Sequence, residues 1–291
     1  MATSTSSDEN IARPSGGDRE FDFTDKDFQF LRELVSTHTG IKLADAKREM
    51  VYGRLSRRLR QLGLSSFSQY CAYLEENIDS EIGTLINAIT TNLTSFFRER
   101  HHFEYLTQTL APILEKSNTN KRIRVWSAGC STGAEPYSLA ITLREAFPSA
   151  RGWDVKILAT DIDTNVLQTA SDGVYSEKEV AEVPPTQVKR WFLKGKDANA
   201  GSVRAGKELR DMITFRQLNL LGPWPMRHQF DFIFCRNVVI YFDKDTQRKL
   251  FDRYADILVP EGHIFIGHSE SLYKVTERFR LIGQTIYRKT G

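Results

Sequence analysis

The stretch Ile123–Phe147, IRVWSAGCSTGAEPYSLAITLREAF, leads from a short apolar run through a glycine-rich turn into a helical pattern. The apolar run Ile123–Ala128 has the length of a buried strand, and the turn Gly129–Gly133 follows it directly. In α/β proteins, a glycine turn between a first strand and a first helix is a common binding place for nucleotides. This turn reads GCSTG, so it lacks the GxGxxG spacing of the dinucleotide-binding fingerprint.

The same alternation continues on the C-terminal side of this stretch. Val155–Thr160 is a second strand-like run that ends at Asp161, and Asp163–Ser171 has a helical pattern. Further runs with strand character are Ile213–Leu218, Phe230–Cys235, His263–Gly267 and Ile282–Tyr287. Strands that alternate with helices predict a doubly wound, largely parallel sheet.

The rest of the chain divides by composition. Residues 1–20 are rich in Ser, Gly and acidic groups, which predicts a disordered tail. Residues 21–90 show helical periodicity and predict a small helical domain, and residues 91–120 link it to an α/β domain at 121–291. Within that domain, residues 174–211 are too long for a simple connection, so we expect an inserted subdomain of small strands.

Composition also excludes several classes of protein. The 291 residues are 40% hydrophobic and 26% charged, which is typical of globular domains. No apolar run approaches the roughly 20 residues of a membrane-spanning helix, and the N-terminus does not resemble a signal peptide. The three cysteines contain no CxxC pair, so neither a disulfide framework nor a zinc site is indicated. These features predict a cytoplasmic protein without direct membrane insertion.

Two carboxylates flank the glycine turn and indicate the ligand that it suits. Glu135 follows the turn, where its charge would repel a pyrophosphate but suits a cationic amino group, such as the methionine end of S-adenosylmethionine. Asp161 ends the second strand-like run, a position from which a carboxylate accepts hydrogen bonds from ribose hydroxyls. A nucleotide-like cofactor is therefore favoured, with a nicotinamide-dependent oxidoreductase as an alternative at this point.

Three longer segments are more specific than the turn alone. They are Thr90–Arg98 (TTNLTSFFR), Val125–Leu139 (VWSAGCSTGAEPYSL) and Cys235–Phe242 (CRNVVIYF). In these segments the chain resembles the chemotaxis receptor glutamate methyltransferases, the CheR family. The basic stretch KREMVYGRLSRRLRQLGL and the pair Asn219-Leu220 also fit, and the resemblance runs from about residue 24 to residue 287.

The resemblance implies a fold and a reaction. The fold is a class I, Rossmann-like methyltransferase domain with a small β insertion, preceded by an all-α domain. The reaction transfers a methyl group from S-adenosylmethionine to glutamate carboxylates of chemoreceptors and releases S-adenosylhomocysteine, without a metal. The expected partners are the helical bundle of a receptor and its C-terminal peptide. We expect a monomer that does not bind nucleic acid.

The resemblance also assigns individual residues. Contacts to the cofactor are implied for Asn92, Thr94, Arg98, Glu135, Asp161, Asn219, Leu220, Arg236 and Asn237. Arg98 and Tyr241 are implied at the methyl-transfer site, where they would orient the incoming carboxylate. The family usually has two adjacent glutamates after the glycine turn, and here the first is Ala134. Because Glu135 aligns with the family's glutamate that contacts the cofactor, we expect this chain to bind the cofactor.

Basic residues predict two docking surfaces. Between Lys42 and Arg60 there are seven basic residues and two acidic ones, which indicates an acidic partner. The receptor-docking candidates on this helix are Lys47, Arg54, Arg57 and Arg58. In the insertion, the candidates for binding the receptor peptide by strand addition are Lys194, Arg204 and Arg210. Asp197 stands where the family often has a glycine, which weakens the second prediction.

Three other functions compete with this interpretation. A nucleic-acid methyltransferase would use the basic helix to contact phosphates, but no NPPY-like motif or Pro-Cys nucleophile occurs. An oxidoreductase would be expected to carry GxGxxG. A non-catalytic receptor-binding module would have no reason to keep Asn92, Arg98, Glu135 and Asp161.

Overall fold

The computed structural model describes residues 19–148 and 151–290, so the predicted tail lies outside the described residues apart from Arg19 and Glu20. The N-terminal part is helical, with α1 (Asp25–Thr39), α2 (Arg48–Leu62), α3 (Phe67–Glu76) and α4 (Ile78–Ile89). Thr24 and Asp27 exchange the two hydrogen bonds of a capping box at the start of α1. Gly40 and Gly63 end α1 and α2 in the left-handed conformation, which glycine adopts readily.

The helical domain has its own core, which the periodicity of α2 predicts. Val51, Leu55 and Leu59 lie on one face of α2 and are fully buried. They belong to one apolar cluster with Phe67 of α3 and Leu85 of α4. Burial of this face stabilises the helices more than their intrinsic propensity does.

A short helical connection leads to the α/β domain. It consists of α5 (His101–Tyr105), one π-helical turn at Leu106–Leu110 and α6 (Ala111–Ser117). The helices that follow are α7 (Ala134–Ala146), α8 (Thr164–Asp172), α9 (Pro185–Trp191), α10 (Lys207–Arg210) and α11 (Lys244–Ile257). The strands are β1 (Arg122–Ala128), β2 (Asp154–Asp161), β3 (Val174–Ser176), β4 (Phe192–Lys194), β5 (Ser202–Ala205), β6 (Ile213–Gln217), β7 (Phe230–Cys235), β8 (Leu258–Ile266), β9 (Phe279–Gly283) and β10 (Ile286–Lys289).

The main sheet has seven strands in the order β6-β2-β1-β7-β8-β10-β9. Its first five strands are parallel, whereas β10 runs antiparallel to both of its neighbours. Val125 belongs to the apolar cluster on one face of the sheet, and its neighbour Trp126 belongs to the cluster on the other face. The predicted doubly wound, largely parallel sheet is therefore confirmed, and both of its faces are covered.

One strand prediction is wrong. The run Ile282–Tyr287 was expected to be a single strand, but it spans the end of β9, a turn and the start of β10. Thr285 in that turn has a φ of 53°, an uncommon value for a β-branched residue. Gly283, directly before Gln284-Thr285, was the signal of a turn within this run, and it was taken as a residue of a continuous strand.

Between α8 and β6 the chain forms a second sheet. It contains three antiparallel strands in the order β3-β5-β4 and lies within residues 174–211. Val203 of β5 is buried, while Leu193 of β4 is 63% exposed. The small sheet therefore presents one face to the domain and another face to solvent.

Candidate active site

One cleft lies at the carboxyl ends of β1, β2, β6 and β7, between the α/β domain and the helical domain. The carboxyl ends of parallel strands are where doubly wound folds bind their ligands. All the residues with a predicted cofactor or catalytic role line this cleft: Asn92, Thr94, Arg98, Glu135, Asp161, Asn219, Leu220, Arg236, Asn237 and Tyr241. The structure thus brings together residues that lie up to about 150 positions apart in the sequence.

The glycine turn after β1 can be built only with glycine at two positions. Gly129 and Gly133 have φ values of 89° and 93°. A Cβ atom on Gly129 would lie 2.3 Å from a methyl carbon of Val238, and one on Gly133 would lie 2.7 Å from the Tyr175 hydroxyl. The turn therefore packs closely against the loop after β7 and against the inserted sheet, as well as bordering the cleft.

Asp161 lies at the carboxyl end of β2, as predicted, and the backbone around it fixes its carboxylate. Oδ2 accepts the Ser131 N–H at 2.8 Å, and Oδ1 accepts the Asp163 N–H at 3.1 Å. Burial raises the pKa of Asp161, and these backbone hydrogen bonds oppose the rise. Because a carboxylate has about four acceptor positions, it can still accept bonds from ribose hydroxyls.

Glu135 lies in the first turn of α7 and is only 6% exposed. Its Oε1 accepts a hydrogen bond from Ser127 Oγ at 2.7 Å, and its Oε2 accepts one from Arg236 Nε at 2.7 Å. Arg236 also donates to the carbonyl of Arg98. Two of the predicted cofactor contacts therefore form a buried ion pair, which fixes the orientation of both side chains.

Glu99 and His102 extend this ion pair, although sequence reasoning missed both of them. Glu99 lies 3.6 Å from the Arg236 guanidinium and 2.8 Å from His268 Nδ1. Burial would raise the pKa of Glu99, but the hydrogen bonds from His268 and the Arg236 charge outweigh it and hold the pKa below its ordinary value. Burial and the Arg236 charge lower the pKa of His102 to about 3, so its ring is neutral at pH 7. The Arg236 guanidinium thus lies between two carboxylates, those of Glu135 and Glu99.

The segment that joins the domains reaches the cleft through Asn92, as predicted, but Asp163 holds it there. Asn92 Nδ2 and Thr90 Oγ1 each donate to Asp163 Oδ2 at 2.7 Å. Asp163 is 1% exposed, and it also caps α8. The signal in the sequence was the pair Asp161 and Asp163 at the end of β2. Asp161 was assigned to the ribose, which left the Asp163 carboxylate as a candidate cap for the helix that follows.

Asn219 and Leu220, two of the residues for which the resemblance implies a cofactor contact, line the cleft next to the helical domain. Asn219 Nδ2 donates to the carbonyl of His38 at 2.6 Å, and its Oδ1 accepts the Leu221 N–H at 3.0 Å. The polar groups of Asn219 thus join the end of α1 to the loop after β6. Leu220 is buried, and Arg253 donates to its carbonyl at 2.7 Å. These contacts give the cleft a fixed wall that both domains share.

Arg98 and Tyr241, the predicted catalytic pair, also line the cleft. Arg98 is half-buried and donates one bond to the carbonyl of Leu93 at 3.1 Å. A guanidinium has five N–H donors, so most of them remain for a ligand. Tyr241 ends a short 3₁₀ turn, and its carbonyl accepts the Lys42 N–H at 2.9 Å. That bond ties the loop after β7 to the helical domain.

The basic helix α2 presents fewer cations to a partner than its sequence suggests. Arg54 donates to the carbonyls at the C-terminal end of α4, at distances between 2.6 and 3.3 Å. Arg58 donates two hydrogen bonds to Glu81, which is 2% exposed. Lys47 and Arg57 are exposed and form no ion pair within the described ranges, and Lys47 lines the cleft. Arg54 and Arg58 therefore hold α2 against α4, and the docking prediction rests on Lys47 and Arg57.

The three peptide-binding candidates lie in or beside the small sheet. Lys194 forms an exposed ion pair at 3.0 Å, Arg204 donates to the carbonyl that ends α8, and Arg210 donates to the last carbonyl of β5. Asp197 has a φ of 49°, which explains why glycine would suit this position. The docking role of these residues stays a prediction.

The chemistry of the lining fits S-adenosylmethionine. The carboxylates of Glu135 and Asp161 can accept bonds from an ammonium group and from ribose hydroxyls. Ile162, Leu218 and Leu220 supply apolar surface for a base. Over residues 19–148 and 151–290, no group of His, Cys, Asp and Glu has the arrangement of a metal site.

The sheet order, the glycine turn after β1 and the acid after β2 together define a class I methyltransferase domain of Rossmann-like fold, joined to an all-α domain. Two family models match the chain: CheR methyltransferase, SAM binding domain, over residues 92–288, and CheR methyltransferase, all-alpha domain, over residues 26–90. The chain belongs to the CheR methyltransferase family, and it is an S-adenosylmethionine-dependent enzyme.

Similar proteins support the same assignment. The chain is 47% identical to chemotaxis protein methyltransferase 2 of Pseudomonas aeruginosa, over 99% of each chain. It is 45% identical to the chemotaxis protein methyltransferase of Escherichia coli, over 91% of each chain. In the part of the chain that the structure describes, no helix has the length and hydropathy to cross a membrane.

Proposed function

We propose that this protein methylates glutamate side chains of chemoreceptors in the cytoplasm, using S-adenosylmethionine and producing methyl esters and S-adenosylhomocysteine. The observation that carries the proposal is the convergence of Glu135, Asp161, Arg98 and Tyr241 in one cleft, with Lys47 of the helical domain on its wall. The names of the similar proteins agree with a role in chemotaxis. On this proposal, the all-α domain at 21–90 docks the receptor and the domain at 121–291 binds the cofactor.

The residues of the cleft have divided roles in this proposal. Glu135 would hold the amino group of the cofactor, Asp161 its ribose, and the wall formed by Leu220 its base. Bound S-adenosylmethionine supplies a methyl group on a sulfonium, which is electrophilic enough for a carboxylate to attack. Glutamate titrates near ~4.3, so the acceptor arrives ionised and the protein does not have to remove a proton.

Arg98 and Tyr241 have the donors to orient the acceptor carboxylate. A bond that is too tight would stabilise the acceptor before the reaction and slow it, so these donors should position the carboxylate without strongly binding it. The positive sulfonium and the negative carboxylate neutralise each other during methyl transfer. Water stabilises these separated charges more than it stabilises the transition state, so a partly dry site favours the reaction. Met50 and Ile41 of the helical domain contribute apolar surface to the cleft and reduce the access of water.

A kinetic comparison tests this role. In Tyr241→Phe, which lacks one hydroxyl, we expect kcat for receptor methylation to fall about tenfold, as for the loss of one hydrogen bond. The affinity for S-adenosylhomocysteine should not change. Tyr273→Phe is the matched control, because Tyr273 is 76% exposed and does not line the cleft. Equal kcat values for the two variants would show that the Tyr241 hydroxyl does not contribute to methyl transfer.

A receptor tether is a second, separate proposal. β3 and β4 are the edge strands of the small sheet, and an extended peptide could pair with either of them; Lys194, Arg204 and Arg210 lie in or beside this sheet. Such a tether would raise the effective enzyme concentration near the receptors without touching the chemistry. Titration with receptor C-terminal peptides tests it. If none binds at tens of micromolar, the tether is wrong.

A further inference from the structure

The loop from Arg236 to Tyr241 carries three of the side chains placed in the cleft, and it has an unusual backbone. Asn237 adopts a φ of 59°, in the left-handed region that non-glycine residues rarely occupy. The N–H groups of Asn237, Val239 and Ile240 all bond to a side chain instead of another backbone group. A strained loop of this kind persists only where its surroundings hold it.

That side chain is Glu270, which follows β8 and is 5% exposed. Its Oε2 accepts the N–H groups of Asn237 at 3.0 Å and Gly267 at 2.6 Å. Its Oε1 accepts those of Val239 at 2.9 Å and Ile240 at 3.3 Å. Glu270 forms no ion pair with any described residue, and it does not line the cleft. Its contacts are with the backbone that carries the cleft residues.

Two neighbouring contacts fix the other sides of this loop. A Cβ atom on Gly267 would lie 2.5 Å from Asn237 Nδ2, so the two loops are in close contact. Gln247 of α11 is buried and donates to the carbonyls of Val239 and Phe242 at 2.9 and 3.0 Å. Glu270 thus holds three N–H groups of the loop, and Gln247 holds the carbonyl of Val239 within the loop and that of Phe242 directly after it.

We propose that Glu270 is a positioning residue for methyl transfer, which holds this loop so that Asn237 and Tyr241 occupy the cleft. The inference rests on the proposed function and on the cofactor contact that the resemblance implies for Asn237. It assigns a role to a residue outside the cleft that none of the sequence motifs included.

The chemistry of the contact requires a carboxylate. Four N–H donors meet two oxygens, and a carboxylate is the side-chain group that accepts at both ends. A glutamine amide in either orientation would place its own NH₂ against two backbone donors. Burial raises the pKa of Glu270, and the four hydrogen bonds oppose the rise because they favour the ionised form.

The substitution Glu270→Gln therefore tests the proposal, with Glu277→Gln as the matched control on the exposed part of the same segment. We expect calorimetric titration of the folded Glu270→Gln protein to show at least tenfold weaker binding of S-adenosylhomocysteine. In receptor methylation we expect a lower kcat as well as a higher KM. A merely structural role would lower the melting temperature and leave the affinity and kcat of the folded protein unchanged. That result would overturn the proposal.

Two further measurements separate the possible failures. Asn237→Ala should also weaken binding, and if it does not, the placement of Asn237 at the cofactor is wrong. Amide hydrogen exchange can be measured on the wild-type protein, so this test does not depend on a variant that might fail to fold. The four amides that Glu270 holds should exchange slowly and at a common rate, and all should slow further with S-adenosylhomocysteine bound. Fast, independent exchange of these amides would overturn the positioning role.

Discussion

Replacing Asp161 with alanine tests how the cleft recognises the ribose. The substitution removes an acceptor from a site where Asp161 already holds the N–H groups of Ser131 and Asp163. A hydrogen bond to a charged group contributes about 1.5–3 kcal/mol, so we expect S-adenosylhomocysteine to bind about 10- to 150-fold more weakly. The two backbone donors also lose their partner, which should lower the free energy of unfolding by roughly 1–3 kcal/mol.

Because of this second effect, binding must be measured on protein shown to be folded. Calorimetry should compare S-adenosylhomocysteine with an analogue that lacks the ribose hydroxyls. The wild type should prefer the hydroxylated ligand, and Asp161→Ala should lose that preference. Asp154→Asn is the control, since Asp154 is exposed at the other end of β2 and pairs with Arg124. If Asp161→Ala keeps the wild-type preference, Asp161 does not bind the ribose.

The remaining predictions concern docking and stability. Reversing Lys47 and Arg57 to Glu should lower kcat/KM for receptors about tenfold at low salt, and the loss should shrink in high salt. Arg57→Glu alone should leave cofactor affinity unchanged, because Arg57 does not line the cleft; an unchanged rate in the double variant would mean that α2 does not dock receptors. Arg58→Met should destabilise the protein by about 3–5 kcal/mol in chemical unfolding, because it leaves the buried Glu81 carboxylate without its cation; a loss within 0.5 kcal/mol would refute this. The pKa of His102 is lowered to about 3, so between pH 7.5 and 5.5 the unfolded chain protonates this ring and the folded chain does not, which should lower stability by about 1 kcal/mol. Burial also lowers the pKa of His263, to about 4, and adds a similar loss; His102→Gln should therefore remove about half of the pH dependence, and an unchanged slope would contradict the role of His102.

Much of the fold was predictable because its signals are local. The strand and turn from Ile123 to Gly133, the helix cap at Thr24 and the helix ends at Gly40 and Gly63 each depend on a few adjacent residues. The hairpin between β9 and β10 was missed because its single turn signal, Gly283, was taken as a strand residue, and Gln284-Thr285 adds no second signal.

The cleft was predictable as a set of residues but not as a set of contacts. Motif residues were expected near the cofactor, and they do meet in one cleft. The partners that orient them are Glu99, Asp163 and Glu270, and their roles arise from contacts between distant parts of the chain. Glu270 contacts Asn237 across 33 positions, and no local pattern reports such a pair.

The same reason explains why the basic helix was overestimated. The helical periodicity of α2 places Arg54 and Arg58 beside its apolar face, which is formed by Val51, Leu55 and Leu59. It could not show that α4 supplies the partners of these two arginines. Arg58 pairs with Glu81 across 23 positions, and Arg54 meets the end of α4 across about 35. A charged residue that flanks an apolar stripe is as well placed for an internal ion pair as for a partner protein.

The stability in base of the bond that attaches the transferred methyl group to the receptor tests the central claim most directly. The protein should be incubated with receptor-containing membranes and S-adenosylmethionine that carries a labelled methyl group. The receptors should then be isolated and treated with mild base. If glutamate carboxylates are the acceptors, label should enter the receptors and nearly all of it should leave as volatile methanol, because the product is an ester. Label that stays on the receptor after base treatment, or that enters nucleic acid instead, would contradict the account.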